Sequence, residues 1–158
     1  MSSGNKGTGA DYLARKSDLA RIRQDLPDFK TILVVEDEPL ASNRMVATLR
    51  GMFGQELDVR HARTVSAAID FLLKQLPDLI LLDDYVGPHD TAVDSLPLIR
   101  HAKFTGPVII VSGRMSRVRR TELLTKGADE TINKDDLDSG SIAEAMLRLV
   151  ASGRLKKG

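Results

Sequence analysis

Four stretches of this chain place oxygen or nitrogen side chains directly behind apolar runs. Glu36-Asp37-Glu38 follows "ILVV", Asp83-Asp84 follows "LILL", Ser112-Gly113 follows "VIIV", and Lys134 follows a weaker run ending in Ile132-Asn133. Carboxylates offer the hard oxygen donors that Mg²⁺ prefers, and such ions commonly share their coordination with phosphate. A lysine pairs with phosphoryl oxygens as a point charge, a hydroxyl can donate to one, and an aspartate can attack phosphorus as a nucleophile. Brought together without a cation, these carboxylates would repel one another and any incoming phosphate, so the set calls for Mg²⁺.

Something must bring the four stretches to one place, and the alternation of apolar patterns supplies it. The uninterrupted runs 32–35, 79–82 and 108–111 have the character of central strands covered on both faces. Weaker strands are expected at roughly Leu57 to His61 and Glu130 to Asn133. Helical spacing predicts helices from Pro39 to Arg50, closed by Gly51, and from Thr64 to about Leu76. Further helices are predicted over about Ser95 to Lys103, after a polar loop from Val86 to Asp94, and from about Ser116 to Lys126, ended by Gly127. The last, about Ser141 to Val150, opens on Ser141-x-x-Glu144, which has capping-box spacing. Five strands alternating with five helices predict an α/β fold with a parallel sheet and helices on both faces. In such a sheet ligands gather outside the carboxyl ends of the strands, where all four stretches would then lie.

The bulk properties agree with one domain. The chain has 158 residues, 42% of them hydrophobic, enough for one core but not for two. A formal net charge of +1 gives no global attraction to nucleic acid or anionic membrane. The absence of cysteine removes disulfides and thiolate metal sites, and with no signal sequence or membrane span in view a cytoplasmic location is expected. Residues 1–10 are glycine-rich and polar and read as a flexible tail. Residues 11–28 read as an amphipathic helix with Tyr12, Leu19, Ile22 and Leu26 on one face, ended at Pro27. The domain proper is expected over 29–151, with a basic tail at 152–158.

The stretches "ILVVEDEP", "PDLILLDDYVG", "GPVIIVSG" and "KGADETINK", in this order, resemble the receiver domain of two-component response regulators over nearly all of residues 30–151. The resemblance implies a doubly wound, flavodoxin-like sheet of order 2-1-3-4-5. It also implies that Asp83 accepts a phosphoryl group from a sensor histidine kinase or histidine phosphotransfer protein. Carried over by position, Asp37 would ligate Mg²⁺ directly and Glu36 mostly through water, with Asp83 and the backbone carbonyl of Tyr85 completing the protein ligands. Ser112 would hydrogen-bond the phosphoryl group and Lys134 would ion-pair with it. The implied protein is a single-domain phosphoacceptor with self-catalysed transfer and autodephosphorylation, signalling by docking or phosphorelay, rather than a conventional enzyme. The alternative is a pseudo-receiver that keeps the fold as a phosphate-independent interaction module. A haloacid-dehalogenase-like phosphatase fits less well, because its Asp-x-Asp motif near the first strand is absent.

Several positions depart from the family pattern. Lys134 is followed by Asp135 instead of proline, and a non-proline cis bond costs about 3 to 4 kcal/mol, so a trans bond is expected. Thr131 replaces the aromatic that usually moves on activation. Tyr85 and Arg114 stand where receiver side chains govern phosphoryl loss, and a bulky ring and a guanidinium there predict slow dephosphorylation. Asp84, on the other side of an extended chain from Asp83, is expected to serve loop structure or solvent contact.

Basic residues crowd the fourth predicted helix (Arg114, Arg117, Arg119, Arg120) and the C-terminus (Arg148, Arg154, Lys156, Lys157). They suit either an acidic protein partner on the face of the fourth and fifth helices or a solvated basic surface. Nucleic acid is not expected, for want of a recognisable helix-turn-helix, and neither is membrane, since the N-terminal stripe carries a polar face of mixed charge. That stripe either packs on the receiver or forms a homodimer contact. His61, His89 and His101 have no ligand spacing and are assigned no role.

Overall fold

The computed structural model describes residues 25–87 and 90–156. Every residue of strands β1 (Thr31–Val35), β3 (Leu79–Asp83) and β6 (Val108–Ser112) is buried, as continuous aliphatic runs require when helices cover both faces. With β2 (Asp58–Ala62) and β7 (Glu130–Asn133) they form a five-stranded sheet of order β2-β1-β3-β6-β7, all neighbours parallel. This is the predicted doubly wound order. The numbering differs only because a two-stranded antiparallel ribbon, β4 (Tyr85–Val86) with β5 (Asp90–Thr91), interrupts the segment expected to be an irregular loop.

Strand alternation sorts the core into two layers. Ile32, Val34, Leu79, Leu81, Ile109 and Val111 pack against Met45 and Leu49 of α1 (Pro39–Phe53) and Ile142, Met146 and Leu149 of α5 (Ser139–Ala151). Their neighbours Leu33, Val35, Ile80, Leu82, Val108 and Ile110 face the opposite layer. There they meet Leu72 of α2 (Val65–Lys74), Leu96 and Ile99 of α3 (Ala92–His101), and Leu123 of α4 (Arg117–Thr125). Leu26 is buried in the first layer. The predicted tail 1–10 and Tyr12, Leu19 and Ile22 of the amphipathic stripe lie outside the described residues, as do His89 and Lys157.

Helix ends follow local chemistry, with three corrections to the sequence expectation. Gly51 lies inside α1, which runs on to Phe53; the exit is Gly54, whose φ of 96° suits glycine. The three extra residues bring Phe53 edge-on to Phe29, with ring centroids 5.2 Å apart. α3 starts at Ala92, ahead of the expected Ser95. The cap of α5 is Asp138, reciprocally bonded with Ser141, so Ser141 is the third helical residue and Glu144 takes no part in the box. A carboxylate three residues upstream wins the cap because it accepts the Ser141 amide at 2.7 Å while the Ser141 hydroxyl receives the Asp138 amide.

Candidate functional site

Strand register determines which side chains meet. Val35 pairs with Leu82, so Glu36 lies level with Asp83, the last residue of β3. Asp83 pairs with Val111, and Ser112 stands one residue further out. Ser112 pairs with Asn133, placing Lys134 one step beyond, at the start of a 3₁₀ turn (Lys134–Asp136). The carboxyl rim thus carries all four chemical stretches, stepped across β1, β3, β6 and β7.

Glu36, Asp37 and Asp83 bring carboxylate oxygens within 4.8 Å of one another, Glu36 and Asp83 buried and Asp37 exposed. Lys134 Nζ donates to Glu36 Oε2 at 3.1 Å and to Asp83 Oδ2 at 3.5 Å. Burial first, then the hydrogen bond and charge of Glu36, push the Asp83 carboxyl from 3.8 up to about 7, against the opposing effects of Lys134 and the Tyr85 backbone. Burial works against the Lys134 ammonium, but the charges of Asp83 and Glu36 outweigh it and raise its pKa. Crowded carboxylates that gain from an added positive charge, all with oxygen donors, fit a hard divalent ion.

Glu38, the third acid of its run, is turned away. Its carboxylate caps α1, accepting the amides of Leu40 at 3.1 Å and Ala41 at 2.7 Å. Glu36 is held from two sides, since its Oε1 accepts the Glu38 amide and its backbone carbonyl meets His61 Nε2 at 2.7 Å. Ser112 is fully buried, and its Oγ accepts the Arg114 amide at 3.3 Å. The Tyr85 backbone hydrogen-bonds the Asp83 carboxylate, and the residue is 55% exposed. Thr131 is buried on β7, and no cis peptide bond occurs among the described residues, so Lys134–Asp135 is trans as expected.

Asp84 corrects the sequence expectation of solvent contact. It is 1% exposed and ion-paired with Arg119 of α4, Nη2 to Oδ1 at 2.6 Å and Nε to Oδ2 at 2.9 Å. Alternation placed it on the other side of the chain from Asp83, but a partner 35 residues away leaves no local trace in the sequence. The basic cluster is accordingly reduced: Arg119 also meets Glu122, Arg148 meets Glu130, and Arg154 meets Asp129.

Comparison with known proteins agrees with this architecture. Residues 32–146 match the model of the response regulator receiver domain. The chain is 31% identical over 121 residues to "Probable transcriptional regulatory protein TcrX" of Mycobacterium tuberculosis, covering 77% of this chain and 48% of that protein. It is 32% identical over 106 residues to the transcriptional regulatory protein KdpE of the same species, covering 65% of this chain and 43% of KdpE. The chain therefore spans about half the length of the curated relatives it matches. A response regulator from Burkholderia pseudomallei, solved with a phosphorylated aspartic acid, calcium ion and citrate, shares the fold at a TM-score of 0.66 and 18% identity, over 78% of this chain and 70% of that one. By sequence match, sheet order and the acidic rim of its strands, this chain belongs to the response regulator receiver domain family.

Proposed function

We propose that Asp83 accepts a phosphoryl group, in a Mg²⁺-dependent step, from a sensor histidine kinase or histidine phosphotransfer protein. The observation that carries this reading is the juxtaposition of the buried Asp83 carboxylate with Glu36, Asp37 and the Lys134 ammonium at one strand rim. An Asp83 oxygen would form the new O–P bond as the donor's P–N bond breaks and its electron pair leaves with the imidazole nitrogen. Asp37, Asp83 and the Tyr85 carbonyl would hold Mg²⁺ directly, with Glu36, whose two oxygens already accept from Glu38 and Lys134, acting mostly through water. The bound ion supplies charge neutralisation for the spread-out phosphoryl transition state. Lys134 would pair with the transferred group and Ser112 would donate to it, releasing the Arg114 amide it now accepts. Signalling then proceeds by protein docking or by phosphorelay.

The B. pseudomallei response regulator, solved with a phosphorylated aspartic acid and a calcium ion, supports the reading by analogy of fold. Beryllofluoride, which mimics an aspartyl phosphate, tests it in the presence of Mg²⁺. Spectral change near Asp83 in the parent protein and none in Asp83→Asn is the expected result. No change in the parent protein would instead favour the phosphate-independent interaction module.

A further inference from the structure

Lys134 reaches two carboxylates on two different strands, Glu36 beyond β1 and Asp83 at the end of β3, from a 3₁₀ turn that lies past the last paired residue of β7. Its ammonium sits on a flexible four-carbon stem, so the place where it arrives depends on how the backbone of that turn is held. The next residue is Asp135, on a trans bond, where the receiver pattern has proline. Asp135 keeps a rotatable φ and an N–H that a proline ring would remove. The turn must therefore be held in another way.

Hydrogen bonds hold it. Asn133 Oδ1 accepts the Asp135 amide at 3.2 Å, a side-chain carbonyl taking the part of a backbone one two residues back, and this bond spans Lys134 itself. The Lys134 carbonyl accepts the Leu137 amide at 3.2 Å, and the Leu137 carbonyl in turn accepts Arg44 Nη2, from α1, at 3.2 Å. Ile132 on one side of the turn and Leu137 on the other are buried in the same core layer. The ends of the turn are thus pinned by packing, and its middle by the Asn133 side chain. We infer that Asn133 is a positioning residue: by closing the turn over Lys134 it directs the ammonium to the rim, in a chain where no proline ring fixes the following residue. The inference rests on the Asp83 reading above. Lys134 has two effects at the rim, pairing with a phosphoryl group and competing with a cation for Glu36 and Asp83. A lysine released from its turn exerts both less well, so the two ligands respond with opposite signs.

Calorimetric titration of the full chain, with Mg²⁺ alone and with beryllofluoride at saturating Mg²⁺, tests this role. Asn133→Ala should weaken beryllofluoride binding about fivefold, the factor that one net hydrogen bond is worth, while Mg²⁺ binding tightens. Asn133→Leu, which keeps the branched shape but not the acceptor, should do the same and carries the test if the alanine variant does not fold. In a Lys134→Met background Asn133→Ala should change neither affinity, because the residue acts through the lysine; a double-mutant cycle reads this directly. Affinities equal to the parent's, weakening of both ligands together, or an undiminished effect in the Lys134→Met background overturns the positioning role alone. Failure of the parent protein to bind beryllofluoride overturns the Asp83 reading and the positioning role with it.

Discussion

Lys134 is held closer to Glu36 than to the acceptor it is proposed to serve, its Nζ lying 3.1 Å from a Glu36 oxygen that is itself almost wholly buried. Before phosphorylation the lysine thus neutralises the rim, and on transfer it must shift toward the new phosphoryl oxygens. Lys134→Met should weaken beryllofluoride binding by about 2 kcal/mol, roughly thirtyfold, the scale of a hydrogen bond to a charged group. Mg²⁺ binding should tighten, because a competing cation is gone. Titration calorimetry with each ligand separates the two effects, and parallel weakening of both would refute this division of labour.

The acceptor assignment distinguishes two adjacent acids. Labelled phosphate should be lost in Asp83→Asn and retained in Asp84→Asn. The second variant should instead lose about 3 kcal/mol of folding stability, because it removes one partner of a buried ion pair. Urea unfolding beside a phosphorylation assay gives both numbers; loss of label from both variants would blur the assignment.

Proton binding at Asp83 competes with metal. Its pKa is raised from 3.8 to about 7, so the folded protein holds this proton more tightly than the unfolded chain. The contribution to stability is fully present below the unfolded value and is lost as pH rises through that window toward about 7. Metal-free protein should therefore lose stability over this range, and Mg²⁺ should restore it only where Asp83 is ionised. The rise in melting temperature on adding Mg²⁺ should be small at about pH 5.5 and large at about pH 8. Equal rises at both would exclude Asp83 as a ligand.

Tyr85 and Arg114 predict slow phosphoryl loss. Tyr85, two residues beyond the acceptor, is half-exposed, and its ring lies under the Arg119 guanidinium, 5.7 Å from the centroid. Tyr85→Ala should shorten the phosphoryl lifetime in purified protein. A half-life of only seconds in the parent protein would defeat the idea outright.

Far from the rim, Arg100 joins loop segments that no strand pairing reaches. It donates to the carbonyls of Phe104 and Gly127 and to the carboxylate of Asp129, which also receives the Val108 amide. Arg100→Met should cost about 2 to 3 kcal/mol, the range for charged hydrogen bonds, while leaving beryllofluoride affinity unchanged. Chemical denaturation and the same calorimetric titration check the two halves.

Much of this architecture was legible because the informative signals are local. Val108 to Val111 reads as a covered strand from composition alone, and the acids and lysine declare themselves by following such runs. Helix ends were less legible. Gly51 and Gly54 are both plausible exits, and only the packing of Phe53 on Phe29 decides between them. Ser141-x-x-Glu144 matches a cap motif, yet Asp138 outcompetes it through a better-placed carboxylate. Asp84 was the least legible of all. Its adjacency to Asp83 suggested loop structure or solvent contact; it does bond the Ala92 amide beyond the loop, but it is buried against an arginine of α4 that no local signal announces.

The withdrawal of Glu38 into the α1 cap has an electroneutrality consequence. With that acid occupied, three carboxylates face one ammonium at the rim. Above the Asp83 pKa their shortfall of positive charge is that of a single dication, so sodium or potassium would leave the cluster undercompensated. A fourth acid directed inward would shift the balance toward more highly charged ions. The helix cap therefore sets the valence to which the rim is matched, through a residue that need not touch the ion.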